Sequence, residues 1–214
     1  MSAPMSAIEL HGCRGCGSAV VEVMLEWAGV EFTYREVESW EPGPATDALK
    51  AINPLAQVPT LKLADGTIVT ESAAIIIALA EWHPRAGLLP PPDDTRRAQA
   101  LRWIAFIAGN MYPAISVGDF PERWVKSDAA RAELKDGCVE RLKAYWGILE
   151  QSLDPGPYLL GEEICALDVY AAMLSRWRPG RTWIDANCPR VAGSIALTEQ
   201  HPIVVRVWAR NFKR

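Results

Sequence analysis

The chain has 214 residues, half of them hydrophobic and 22% charged, with a net charge of −4. That composition fits a globular protein with a substantial core and excludes a disordered one. The acidic balance argues against a nucleic-acid or anionic-membrane partner, and no apolar run approaches the roughly 20 residues of a membrane helix. Five cysteines, an odd number at low density, fit reduced thiols in the cytoplasm rather than a disulfide framework. Met1–Met5 has no basic stretch ahead of an apolar core, so no secretory leader is expected.

Residues 7–11 alternate like a short strand. Gly12, Gly15 and Gly17 then make a loop that carries Cys13 and Cys16, and Ser18 is a good N-cap for a helix beginning there. Val21, Leu25 and Ala28 recur at helical spacing until Gly29, predicting a helix over 18–28. Residues 31–37 alternate again, with Phe32 and Tyr34 facing the sheet, so the opening is a parallel strand–helix–strand unit. A proline-rich loop, 40–45, precedes a short helix over 46–52, capped by Thr46 or Asp47. Pro59 stands at a strand start, and Asp65-Gly66 is a hairpin signal that pairs 60–63 with 67–70. Thr70-Glu71-Ser72 opens a helix to Trp82, ended by His83-Pro84.

Four prolines and a glycine between Pro84 and Asp94 read as a linker, which bounds a first domain at 1–83 and a second at 95–214. After it the pattern is helical: a long helix over 94–112 that Pro113 ends or kinks, a second from the Ser127-Asp128 cap to Leu153, a third over 166–177, and a short last one over 201–211. The second helix carries the stripe Leu134, Cys138, Leu142, Tyr145 and Leu149. Strands first and helices afterwards give an α/β domain followed by an all-α one.

A thiol just ahead of a helix N-terminus lies in positive potential, which favours a thiolate there, either its own or that of a bound thiol. No tyrosine is near that loop in the sequence, and Cys13-x-x-Cys16 has no second pair to complete a zinc site, so no metal is expected.

Three motifs make the chain resemble the cytosolic glutathione transferases of bacterial type. They are Asn53-Pro54 with Gln57-Val58-Pro59-Thr60-Leu61, then Thr70-Glu71-Ser72-Ala73-Ala74-Ile75, and Gly161 with Asp168. The resemblance implies an N-terminal thioredoxin-like domain, βαβ-α-ββα, followed by a C-terminal helical bundle. It implies glutathione as substrate with no cofactor, an apolar electrophile as second substrate, and a homodimer. It implies a cis bond at Val58-Pro59, which turns the Val58 N–H and C=O toward the cysteinyl backbone of glutathione. Glu71 then meets the γ-glutamyl ammonium, Ser72 and the helix start meet its carboxylate, and Gln57 reaches the glycyl carboxylate.

The family places a Tyr, Ser or Cys at the first helix. Counting along the loop points to Cys16, with Ser18 second and Cys13 third; backbone N–H groups alone are the remaining possibility. Cys-x-x-Cys also reads as a dithiol motif, but its register is about a turn early, which discounts a full dithiol mechanism. A glutathione-dependent reductase using Cys16, and a non-catalytic glutathione-binding protein, stay open as alternatives. In the helical domain, Trp103, Phe106, Asn110, Met111 and Tyr112 are expected to wall an apolar substrate cleft between domains. Asp168 is read as structural, with Cys165 standing where the family carries a capping Ser or Thr, so half of that capping box is expected to be missing.

Overall fold

A computed structural model describes residues 8–154 and 156–212. The described residues fall into two compact units. One runs to Pro91 and takes up the chain again at His201; the other spans Pro92–Gln200.

The first unit is built on a four-stranded sheet. Strands β1 (Ile8–Gly12), β2 (Phe32–Glu36), β3 (Thr60–Lys62) and β4 (Ile68–Thr70) lie in the order β2-β1-β3-β4. β1 and β2 are parallel; β3 pairs antiparallel with both β1 and β4. Ala7, the first residue of the expected strand, lies outside the described residues. Helix α1 (Ser18–Trp27) makes the crossover and ends at Gly29, whose φ of +67° only glycine adopts cheaply. Helix α2 (Pro44–Ile52) starts two residues earlier than the pattern predicts. Pro44 sits in its first turn, where a missing N–H costs nothing, and the Thr46 hydroxyl donates to the Glu41 carbonyl instead of capping. Helix α3 (Ser72–Trp82) runs to the expected end. Leu10, Val20, Val21, Met24, Leu25, Leu49, Leu61, Ile75, Ile76 and Leu79 are all buried.

The last helix, α10 (Pro202–Asn211), belongs to this unit and not to the helical domain in which the sequence pattern places it. Its polar side chains explain why. Arg210 Nε donates to Glu22 of α1 at 2.6 Å, Asn211 Nδ2 donates to the same carboxylate at 2.6 Å, and Arg206 Nε donates to Glu26 at 2.8 Å. Arg210 also pairs with Glu26, and His201 stacks on Trp27 with ring centroids 4.9 Å apart.

The second unit is helical. The helical run that opens with α4 (Thr95–Phe106) does not end at Pro113: it passes through a π turn (Ile107–Met111) into α5 (Tyr112–Asp119). The Tyr112 N–H reaches back to the Ile107 carbonyl, so the turn has already widened before the residue that has no N–H to give. Helix α6 (Asp128–Ser152) starts at the expected cap, with the Ala130 N–H donating to Ser127 Oγ at 3.3 Å. It buries Trp146 beside Cys138, Leu142 and Leu149, where the stripe pointed to Tyr145. Helix α7 (Ala166–Leu174) is fully buried, and α8 (Arg181–Asn187) and α9 (Pro189–Thr198) come after it, neither of them anticipated by the sequence pattern.

The α7 capping box has both halves. The Cys165 N–H donates to Asp168 at 2.8 Å, and the Cys165 sulfur accepts the Asp168 N–H, a weak acceptor still close enough to serve. The buried Asp168 carboxylate also accepts from the Leu159 N–H at 2.7 Å and the Ser194 hydroxyl at 3.3 Å, which ties α7 to α9 and to the chain before it.

Two substitutions test these polar anchors by urea unfolding of the full chain. Removing a buried carboxylate whose cationic partners remain is expected to cost about 3–5 kcal/mol, so Glu22→Ala loses that much. Asp168→Ala strands two buried N–H groups and is expected to lose about 2–4 kcal/mol.

Candidate functional site

The sheet register brings three distant stretches to one end. His11 pairs with Thr60, and Thr60 pairs with Thr70. The chain leaving β1 at 12–17, the chain entering β3 at 57–59 and the chain leaving β4 at 71–72 therefore meet at the same edge.

The first stretch is a turn closed by the Cys16 N–H donating to the Cys13 carbonyl at 3.2 Å, with Gly15 at φ +74°. Ser18 holds it from beneath. It is the first helical residue, and Gly17 takes the cap position expected for it, because the Ser18 hydroxyl reaches back rather than forward. Ser18 Oγ accepts the Cys13 N–H at 3.1 Å and donates to the Cys13 carbonyl at 2.9 Å. Gly12 must lack a side chain: a Cβ there would lie 2.7 Å from Ser18 Oγ and 2.8 Å from the Tyr34 hydroxyl. Tyr34 thus reaches the loop from β2 although it is remote in sequence. Burial pushes its phenol up to about 12, so it stays neutral.

Arg14 is anchored on two sides. Its guanidinium stacks 3.8 Å over the Tyr34 ring and donates to Glu22 at 3.0 and 3.2 Å. Its carbonyl accepts from both thiols, Cys13 at 3.5 Å and Cys16 at 3.8 Å. Cys13 is buried and Cys16 half-buried. The helix field does not decide their state: burial, first of all, pushes both thiols up. Among the described residues, the N–H groups of Gly17 and Ser18, at the start of α1, have no hydrogen-bond partner.

The second stretch is held by Asn53, which is buried. Its Nδ2 donates to the Gln57 carbonyl at 3.1 Å and to Thr60 Oγ1 at 2.9 Å, and the Thr60 hydroxyl donates to the Gln57 carbonyl at 2.8 Å. The Val58–Pro59 peptide is cis, Pro59 is buried and the Gln57 side chain is exposed. Among the described residues the Val58 backbone makes no hydrogen bond. In the third stretch, Glu71 is exposed and sits at φ +64°, ψ +111°, a costly backbone for a residue with a side chain, immediately before Ser72 opens α3.

The expected substrate wall is less uniform. Trp103 and Met111 are buried. Phe106 packs edge-on against Trp103 and Tyr145, at 5.3 and 5.5 Å, and Tyr112 packs on Tyr170 and Trp177. Of the five, Asn110 lines an open groove of about 430 Å³ within the second unit, beside Pro113, Leu134, Arg141 and Tyr145.

Sequence reasoning missed Tyr34 and Glu22. Glu22 did leave a signal: it is the one charge inside an otherwise apolar run from Ala19 to Leu25.

A βαβ unit followed by an antiparallel ββ pair and a helix, with a thiol-bearing loop ahead of the first helix, defines a thioredoxin-like domain. The profile described as "Glutathione S-transferase, N-terminal domain" matches residues 18–82. The chain is 32% identical to the GST-like protein YncG of Escherichia coli K12 over 95% of its own length and 98% of that protein's. It is 28% identical to the glutathione S-transferase GstA of E. coli O157:H7, over 76% of this chain and 78% of that one. Among solved structures, a glutathione transferase homologue from Sulfitobacter with bound glutathione superposes with a TM-score of 0.85 at 28% identity, over 96% of this chain and 98% of that one. The chain belongs to the glutathione S-transferase superfamily.

The loop architecture predicts that Ser18→Ala, which removes both contacts to Cys13, costs about 1–3 kcal/mol in urea unfolding. Gly12→Ala is expected to cost more than Ser18→Ala in the same assay, since Ser18 and Tyr34 must both move.

Proposed function

We propose that the protein is a glutathione transferase, and that glutathione lies along the sheet end where the three stretches meet. The observation that carries the reading is the His11–Thr60–Thr70 register: it gathers the α1 start, the open Val58 backbone and the strained Glu71 turn at one edge. The cysteinyl part of glutathione pairs with the Val58 N–H and C=O like an added strand. Its γ-glutamyl ammonium meets Glu71, its α-carboxylate meets Ser72 and the α3 start, and Gln57 reaches the glycyl carboxylate.

The sulfur then lies at the start of α1. The Gly17 and Ser18 N–H groups supply the charge stabilisation, and the Cys16 thiol flanks them. Ser18 contributes its backbone, because its hydroxyl is committed to Cys13. A hydrogen bond to a charged group is worth about 1.5–3 kcal/mol, and one pKa unit corresponds to about 1.4 kcal/mol. Two such bonds therefore suffice to bring a thiol from about 8.5 to about 6.5, largely thiolate at neutral pH. The thiolate attacks an apolar electrophile and forms the thioether. The reductase and carrier readings gain no support of their own from these features. A homodimer in the cytoplasm completes the proposal, the dimer to be checked by light scattering.

Calorimetry with reduced glutathione tests the site. Wild type is expected to bind, and Glu71→Ala to bind at least tenfold more weakly, a loss of about 1.4 kcal/mol or more. Conjugation of glutathione to an activated aryl halide is expected to rise with pH through a midpoint of about 6.5 and then level off. No binding by wild type together with no turnover of any electrophile would falsify the reading.

A further inference from the structure

The transferase reading leaves one feature of the loop unused: two thiols placed against each other. Cys13 and Cys16 are the ends of one hydrogen-bonded turn, which brings their Cα atoms within about 7 Å. A disulfide needs about 4.4–6.8 Å. Both sulfurs approach a single oxygen, the Arg14 carbonyl, at 3.5 and 3.8 Å, and the two thiols lie close enough to interact with each other. Gly15 and Gly17 interrupt the loop, so its backbone can adjust while the Arg14 guanidinium stays fixed by Glu22 and Tyr34. The other three cysteines, Cys138, Cys165 and Cys188, are buried in the second unit and each stands alone.

We propose that Cys13 and Cys16 form a reversible disulfide, with a small-molecule disulfide such as oxidised glutathione as the oxidant. The difference in exposure sets the order. Cys16 is half-buried and Cys13 is 3% exposed, so the oxidant reaches Cys16. Cys16 gives its proton to solvent, and its sulfur attacks one sulfur of the oxidant. The oxidant's S–S bond breaks, Cys16 carries a glutathionyl group, and one glutathione leaves and takes up a proton. Cys13 then loses its proton and attacks the Cys16 sulfur; the mixed disulfide breaks, Cys13–S–S–Cys16 forms and the second glutathione leaves. Two protein thiols give up two electrons and two protons, and one disulfide becomes two thiols. Closure takes both thiols off the Arg14 carbonyl and changes the turn that leads into α1. Burial keeps the pair protonated at rest, so thiolate formation limits the rate, and the rate climbs with pH.

The test uses the full chain, oxidised glutathione, and alkylation followed by peptide mapping. Wild type is expected to lose two of its five denatured-state thiols, to yield a peptide linked through residues 13 and 16, and to recover with dithiothreitol. The rate is expected to rise up to tenfold per pH unit above neutrality. Cys13→Ser should stop at a stable glutathionyl adduct on Cys16, and Cys16→Ser should remain unmodified. Wild type that keeps all five thiols, or that accumulates the Cys16 adduct without closing, overturns the proposal. These readouts need no transferase activity, so they stand whether or not glutathione conjugation is found, and the wild-type measurement decides even where a variant folds poorly.

Discussion

A single buried carboxylate organises the first unit. Glu22 is 2% exposed and accepts from Arg14 ahead of α1 and from Arg210 and Asn211 on α10. A carboxylate removed from water is tolerable only when its lone pairs are filled, and three side chains from two segments fill them. The same contacts fix Arg14, and Arg14 in turn presents the carbonyl that both thiols face. The shape of the thiol loop is therefore set from behind, by charge pairing on the far side of the turn. Tyr34 adds a second wall, its ring under the Arg14 guanidinium and its hydroxyl against Gly12 and Ser18.

The other two stretches are fixed by different means. Asn53 and Thr60 use side-chain hydrogen bonds to hold the Gln57 carbonyl inward, which leaves the next residue, Val58, with an open backbone. Glu71 is fixed by backbone geometry: a positive φ between the end of β4 and the start of α3. Strain at that position persists because β4 and α3 hold both of its sides. The sheet register thus brings main-chain groups of all three stretches to one end of the sheet.

Much of this was legible in the sequence, because local rules and tertiary packing agree. The Asp65-Gly66 hairpin, the Gly29 stop and the Ser127 cap all appear where turn and capping chemistry put them. The three site stretches were legible as motifs. The illegible parts depend on contacts between segments far apart in the chain. Ser18 has the composition of a cap, yet its hydroxyl turns back to Cys13 because the loop offers a closer partner. Residues 201–211 have a plain amphipathic pattern, and the contacts that join them to the first unit, to the α1 carboxylates and to Trp27, come from far away in the chain. Pro113 reads as a helix end or kink, and a π turn that closes two residues earlier lets the helical run continue past it. The short α8 and α9 carry too few turns for their periodicity to stand out.

Because α10 completes the first unit, the order of synthesis matters. Arg210 comes 188 residues after its carboxylate partner Glu22. At about 5–20 residues per second, translation takes roughly 10–40 s to deliver it. Throughout that interval Glu22 lacks two of its three partners, while the remaining strands of the sheet and the whole helical unit are made. The carboxylate that anchors Arg14 behind the thiol loop therefore gains its α10 partners only after the whole second unit has been made.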